Sequence, residues 1–140
     1  MTPWHRIAQF AGLALVASAC SMPAAARKTP MASAVLSVPA DLPNQRLFDC
    51  AESSIATLSE TSSSWPKVTR EDPTKGILES GDFPETNRSG FRLRLERPPG
   101  ANQAKLALKG AGAYFVDLGV DKAMQDLKTA LDRCVATQPQ

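Results

Sequence analysis

The sequence predicts an α+β domain: a four-stranded antiparallel sheet with an N-terminal and a C-terminal helix packed on one face. Two observations predict it. Apolar residues recur at helical spacing at both ends of region 45–140, and they alternate as in strands between those ends. The predicted order is therefore α-β-β-β-β-α, in a single domain spanning 45–140. Because the connections are short, we expect neighbours in sequence to be neighbours in the sheet.

The N-terminal helix is predicted to open at Pro43 and Asn44, two residue types common at helix starts, and to run to about Glu60. The serine cluster 62–64 before Trp65 ends it. The apolar residues on one side of this helix are Leu47, Phe48, Ala51, Ile55 and Leu58.

The first two strands are predicted as a hairpin, Lys67–Asp72 and Gly76–Phe83, around a short turn. Gly90–Arg97 is the clearest strand, because Phe91, Leu93 and Leu95 alternate with polar residues. Gln103–Lys109 alternates in the same way, and we expect Tyr114–Leu118 to continue or restart that strand after a kink at the glycines 110 and 112.

The C-terminal helix is predicted over 119–134. One apolar stripe carries Val120, Ala123, Met124, Leu127, Ala130, Leu131 and Cys134. At this spacing the stripe is more typical of a core face than of a ligand groove.

The segment 20–44 precedes the predicted domain and is rich in Ala, Ser and Pro. Such a composition buries little apolar surface, so it predicts a semi-extended, flexible linker. Within it, Ala34–Val38 is also compatible with an edge strand.

Residues 1–19 have the features of an export signal: Arg6 near the start, an apolar centre over 10–16 and small residues before Cys20. The apolar run is shorter than a bilayer span. The ending Ala17-Ser18-Ala19-Cys20 resembles the lipobox of bacterial lipoproteins, although Ala17 stands where that family usually has Leu. A soluble secreted protein, cut at the same bond or after Ala26, is the alternative.

The lipoprotein resemblance implies that Cys20 is acylated and that the chain is bound to a membrane through its N-terminal lipid. Ser21 lacks the acidic character linked to inner-membrane retention in Gram-negative lipoproteins, so the resemblance implies the outer membrane, facing the periplasm. The remaining cysteines, Cys50 and Cys134, form a pair in an oxidising compartment and predict a disulfide. Side-by-side antiparallel helices would bring them together.

Several classes of function are disfavoured. His5 is the only histidine and lies in the signal, so Ser-His-Asp and Cys-His catalysis and His-based zinc sites are excluded from the mature domain. Sixteen Lys and Arg nearly balance fourteen Asp and Glu, which gives no overall attraction to nucleic acid. We expect no enzymatic activity, no catalytic residue, no cofactor, no metal ion and no nucleic-acid partner.

A basic face on the open side of the sheet is the best functional candidate. Arginine and lysine there could hold phosphate or carboxylate groups of an anionic lipid, a glycolipid or an envelope protein. The alternative is an ordinary solvated strand exterior. The candidate residues are Arg88, Arg92, Arg94, Arg97, Lys105 and Lys109.

Three functions follow as hypotheses. The first is a non-enzymatic accessory lipoprotein that binds an envelope component or protein partner. The second is an inhibitor or immunity-type lipoprotein that blocks an enzyme through the loop Asp82–Ser89. The third and least favoured is a carboxylate-dependent hydrolase, since the acidic residues flank turns and show no sign of burial: Glu71, Asp72, Glu79, Asp82 and Glu85.

Overall fold

The protein folds as an α+β domain with an antiparallel sheet and two helices, which confirms the predicted class. It is described by a computed structural model over residues 28–139. In chain order the elements are β1 (Met31–Ser37), α1 (Asn44–Ser59), β2 (Val68–Asp72), β3 (Ile77–Ser80), β4 (Gly90–Glu96), β5 (Gln103–Ala111), a 3-10 turn (Ala113–Phe115) and α2 (Val120–Ala136).

The sheet has five strands, so the predicted number of four is wrong. The strand order is β1-β5-β4-β3-β2, and every neighbouring pair is antiparallel. The strands β2 to β5 lie in sequence order, as short connections predict. The additional strand, β1, lies beyond β5 and forms one edge of the sheet.

β1 lies inside the segment 20–44 that the composition predicts to be a flexible linker, and from Met31 onward that prediction is wrong. Seven consecutive residue pairs join β1 to β5, from Met31 opposite Lys109 to Ser37 opposite Gln103. The partner strand β5 is some seventy residues away in the sequence. The Ala and Ser residues of β1 have little strand propensity of their own, and their local sequence does not show that β5 will pair with them. The alternative, an edge strand over 34–38, overlaps β1. Residues 1–27, with the predicted signal and Cys20, lie outside the described residues.

One hydrophobic core lies between the sheet and the helices. α2 packs on β1 and β5, and α1 packs against α2. Neither helix of the described region is long and apolar enough to cross a membrane. The fully buried core side chains come from both helices and from β1, β3, β4 and β5: Leu36, Leu47, Phe48, Leu78, Leu93, Leu95, Leu108, Leu127 and Leu131.

The predicted disulfide between Cys50 of α1 and Cys134 of α2 is present, with the two Cα atoms 5.7 Å apart. The two cysteines are separated by 84 positions in the sequence. In the chain-entropy model, closing a loop of that length stabilises the fold by about 4–5 kcal/mol. The disulfide therefore ties the first helix to the last.

The chain after β5 does not form the strand predicted over Tyr114–Leu118. Tyr114 and Phe115 have positive φ angles of 55° and 61°, which turn the backbone out of an extended path. A single bridge between Ala111 and Asp117 is the only strand-like pairing described there. The segment is a loop that returns the chain to α2.

Candidate functional site

The strand register determines which polar side chains share the face of the sheet opposite the core. In β4, Leu93 and Leu95 are completely buried in the core, so the alternate residues lie on the other face, which we call the open face. The same alternation and the pairings with β5, β3 and β1 assign the rest. The open-face residues are Arg92, Arg94 and Glu96 of β4, Lys105, Ala107 and Lys109 of β5, Glu79 of β3, and Met31, Ser33 and Val35 of β1.

Arg92 is on the open face but is not exposed, so its predicted availability to solvent is wrong. Its exposed fraction is only 1%. Nη1 donates a hydrogen bond to the carbonyl oxygen of Glu85 in the loop after β3, while Nε and Nη2 have no hydrogen-bond partner in the described region. Burial, followed by repulsion from Arg88, lowers the pKa of the Arg92 guanidinium. The loop covers this arginine, which sequence alternation could not indicate.

Arg97 follows β4 and is buried at the end of the sheet where β1 ends, so its predicted place on an open basic face is also wrong. Its guanidinium donates hydrogen bonds to Asn44 Oδ1 at 2.9 Å and to four backbone carbonyls. These carbonyls belong to Pro39, Ala40, Leu42 and Ala101. Arg97 therefore holds the β1–α1 connection against the β4–β5 turn, which is a structural role.

The charge of Arg94 is offset by two carboxylates. Its Nε lies 2.7 Å from Glu96 Oε1 and 3.3 Å from Glu79 Oε1, without hydrogen-bond geometry to either. Glu79 is buried, so the expectation that none of the acids of the hydrolase hypothesis is buried is wrong for it, and its Oε2 is also 3.6 Å from Arg70 Nη1. A ligand anion would have to compete with these acids, so Arg94 is a weak candidate for capturing one.

Phe83, from the loop between β3 and β4, is the unpredicted centre of the open face. Lys109 Nζ donates to the Phe83 carbonyl oxygen at 2.8 Å and lies 4.3 Å from its ring centroid, a cation–π distance. Burial, and then repulsion from Arg92 and Arg94, lowers the pKa of the Lys109 ammonium. Lys109 therefore binds the loop through Phe83 and is not available to an external anion.

The two remaining predicted cations behave differently from each other. Arg88 Nη2 lies 3.3 Å from Asp82 Oδ2, so the loop neutralises its own exposed arginine. Lys105 is exposed and takes part in no ion pair among the described residues. The predicted basic face is thus a set of cations that are mostly ion-paired or bonded to the backbone, with Lys105 as its one open charge within residues 28–139.

An apolar groove lies beside these cations. It has a volume of about 540 Å³ and is floored by β1 and β5, with Phe83 at one side. Met31 and Val35 of β1 are 57% and 50% exposed there, although they are large apolar side chains. The rim is formed by Arg94, Glu96 and Lys105. Sequence reasoning missed this groove because its floor includes β1; the only available signal was the alternative edge strand over 34–38.

The outer edge of β1 borders the groove. As the terminal strand of the sheet, β1 has no further strand beside it in residues 28–139. Half of its backbone N–H and C=O groups therefore point outward, in position to pair with another extended chain. Groove and edge together present both apolar surface and unpaired backbone.

The acidic residues of the hydrolase hypothesis do not form one site. Asp72 Oδ1 accepts from the backbone N–H of Lys75, Asp82 pairs with Arg88, and Glu79 pairs with arginines on the open face. Glu71 is next to Asp72 on β2 and therefore points to the opposite side. Within the described chain, no group of three or more His, Cys, Asp or Glu is placed to hold a metal ion.

No family model matches the chain. No curated protein matches it. Among solved structures, the fold is similar to "Crystal structure of Ara h 8.0201", at a TM-score of 0.43 and 14% identity, over 79% of this chain and 100% of that chain. This similarity is too low to carry an argument about function.

Proposed function

We propose that the chain is a non-enzymatic envelope lipoprotein, anchored by an acylated Cys20 in the outer membrane and facing the periplasm, whose domain binds a protein partner. The observation that carries the binding proposal is the apolar groove on the open face beside the free edge of β1. The anchoring rests on the lipobox-like residues 17–20.

A protein partner fits this site better than an anionic lipid or glycolipid. Arg92 and Arg97 are buried, and Arg88 and Arg94 already have carboxylate neighbours. Anion binding would need those cations to be available. The groove instead offers mostly apolar surface, which is typical of the centre of a protein interface.

The binding mode we propose is strand addition. An extended partner segment would pair its backbone with β1 and direct alternate side chains towards Met31 and Val35. Backbone hydrogen bonds would supply affinity, and the groove would select small or apolar side chains. An acidic partner residue would fit beside Lys105.

Photo-crosslinking in cells tests this proposal. A photoreactive residue replaces Val35, and a matched control replaces Arg70 on β2, at the other edge of the sheet. We expect a discrete protein adduct from position 35 and none from position 70. A lipid or glycan adduct at 35 would overturn the protein partner in favour of an anionic envelope ligand. Absence of any adduct at 35, with export verified, would overturn the site.

The anchor has its own test, the mass of the mature N-terminus. We expect an acylated Cys20. An unmodified Cys20, or a start at Arg27, would overturn the lipoprotein proposal and leave a secreted protein.

A second candidate, inhibition of an enzyme through the loop Asp82–Ser89, is favoured by one observation. The loop is fastened at Phe83 by Lys109 and at Glu85 by Arg92, while residues 84–89 are all exposed. A rigidly held, exposed loop is the kind of element that inserts into a partner's site. Substituting Thr86 and Asn87 should abolish binding if this candidate is correct, and should leave it unchanged if the β1 site is used.

A further inference from the structure

The segment just before β1 and an exposed loop after β5 lie at the same end of the sheet. The carbonyl oxygen of Pro30, just before β1, accepts from the backbone N–H of Gly110 at 2.9 Å. Gly110 in turn accepts at its carbonyl from the N–H of Leu118 at 3.1 Å, where the loop after β5 returns. We call residues 112–118 the tip loop. The N-terminal segment therefore joins the domain directly beside the tip loop.

The tip loop presents apolar side chains in a costly conformation. Tyr114 is 85% exposed and Val116 is 61% exposed. Tyr114 and Phe115 have left-handed backbone angles, which are unfavourable for aromatic residues. The loop is closed by a 2.7 Å hydrogen bond from Gly112 N–H to the Val116 carbonyl oxygen.

Exposed apolar side chains concentrate at this end of the domain. Four large apolar side chains of the described residues are at least half exposed: Met31, Val35, Tyr114 and Val116. Two are in the tip loop, and Met31, opposite Lys109, begins β1 at the same end of the sheet. The other end of the sheet is formed by the β4–β5 turn, where Asn102 is exposed.

The length of chain before β1 limits the distance between this end and the lipid. Ten residues separate Cys20 from Met31. Fully extended, ten residues span at most about 35 Å. α2, with 17 residues, is itself about 25 Å long, so the tether is comparable to the domain. The end that carries the tip loop can therefore lie at most about 35 Å from the anchor, whereas the opposite end can lie farther away by the length of the domain.

We propose that the tip loop rests on the lipid surface, with Tyr114 and Val116 entering the headgroup region. This inference rests on the proposed acylation of Cys20. Tyrosine is suited to that position because its ring is apolar and its hydroxyl is polar. The carboxylate of Asp117 accepts hydrogen bonds from Gly119 N–H and Val120 N–H, both at 2.9 Å, so this acid is engaged by the start of α2.

The contact depends on the anchor. Two partly buried side chains give too little free energy for stable membrane binding from solution. Tethering raises the local concentration of lipid around the tip loop, so a weak contact is populated. The groove on the open face would then stand to the side of the lipid surface, available to a partner.

Fluorescence quenching by brominated phospholipids tests the inference with mature, acylated protein in vesicles. Tyr114→Trp places a reporter in the tip loop, and Asn102→Trp places a matched exposed reporter at the opposite end. The unsubstituted protein supplies the background of Trp65, which is buried. We expect the emission of the residue at 114 to fall by about half, and that at 102 to change little. Equal quenching at both positions would overturn the inference.

Two further measurements separate the sources of failure. If Tyr114→Trp fails to fold, Val116→Trp reports the same loop with the same expectation and the same overturning result. The mass of Cys20 is recorded on each sample. Acylated protein without quenching at 114 overturns only the tip-loop contact. Quenching at 114 in protein that lacks acylation would overturn the inference as stated, because the contact would then form without the anchor.

Discussion

The two edges of the sheet are built in opposite ways. β2 has five residues, three of them charged, and its register with β3 shifts between Val68 and Arg70. Charges, short length and a bulge are features that discourage an edge from pairing with another chain. β1 has seven residues, none of them charged, glycine or proline, and pairs with β5 without interruption.

This difference indicates that the β1 edge is available for pairing, whereas the β2 edge is closed. A small domain with a free, flat edge risks aggregation unless that edge has an occupant. The apolar groove lies only on the β1 side of the open face. The contrast is therefore the physical basis for placing a partner at β1.

The largest expected difference is the loss in the free energy of unfolding when the arginine that holds each edge is replaced. Arg97 holds the end of β1 through buried hydrogen bonds, while Arg70 of β2 makes a half-exposed ion pair with Glu79 at 3.6 Å. Arg97→Met leaves buried carbonyls without donors, so we expect a loss of about 3–5 kcal/mol. Arg70→Met should cost less than about 1 kcal/mol. Urea unfolding of both variants measures the difference, and similar losses would show that the edges are held alike.

A smaller difference is expected from the apolar side chains of the two edges. Leu36 of β1 is completely buried, whereas Val68 of β2 is only partly buried. Leu36→Ala should therefore reduce the free energy of unfolding by about 3 kcal/mol, and Val68→Ala by about 1 kcal/mol. Val35→Ala, on the exposed face of β1, is the control and should change stability little. A small loss at Leu36 would mean that β1 is only loosely attached.

Local patterns were sufficient for the elements that carry their own periodicity. The helical stripes, the alternation around Leu93 and the pair Cys50 and Cys134 could all be predicted from the sequence. β1 could not, because its Ala and Ser residues give little strand signal and its support comes from β5 and α2. Its assignment depends on contacts between distant parts of the chain.

The sequence predicts which side chains share the open face better than it predicts whether they are exposed. Alternation predicts that Arg92 and Arg94 share a face, and the register agrees. Their surroundings depend on other elements: the loop after β3 brings the Glu85 carbonyl to Arg92, while Phe83 and Glu79 lie close to Arg94. Arg97 stands one residue beyond β4, where the chain turns and alternation no longer applies. Burial of these arginines is a tertiary property.

The smallest effect concerns Glu71 on the β2 edge. Desolvation, followed by repulsion from Glu52 and Asp49 of α1, raises the pKa of this carboxyl above its ordinary value. A raised pKa in the folded state means that the ionised carboxylate destabilises the fold at neutral pH. The penalty disappears once the pH falls below the ordinary Glu pKa, because the group is then protonated in both states.

Glu71→Gln should therefore stabilise the protein at neutral pH by a few tenths of a kcal/mol, since the site is largely exposed. Urea unfolding from acidic to neutral pH should show the variant and the parent converging on the acid side. Asp72→Asn, at a carboxylate that accepts a hydrogen bond from Lys75 N–H, is the control and should not stabilise. A gain at Glu71 that persists at low pH would mean that it arises from packing. In that case the ionised carboxylate of Glu71 would cost the fold nothing. Its presence on β2 could then not be explained as a stability cost that is offset by keeping this edge unpaired.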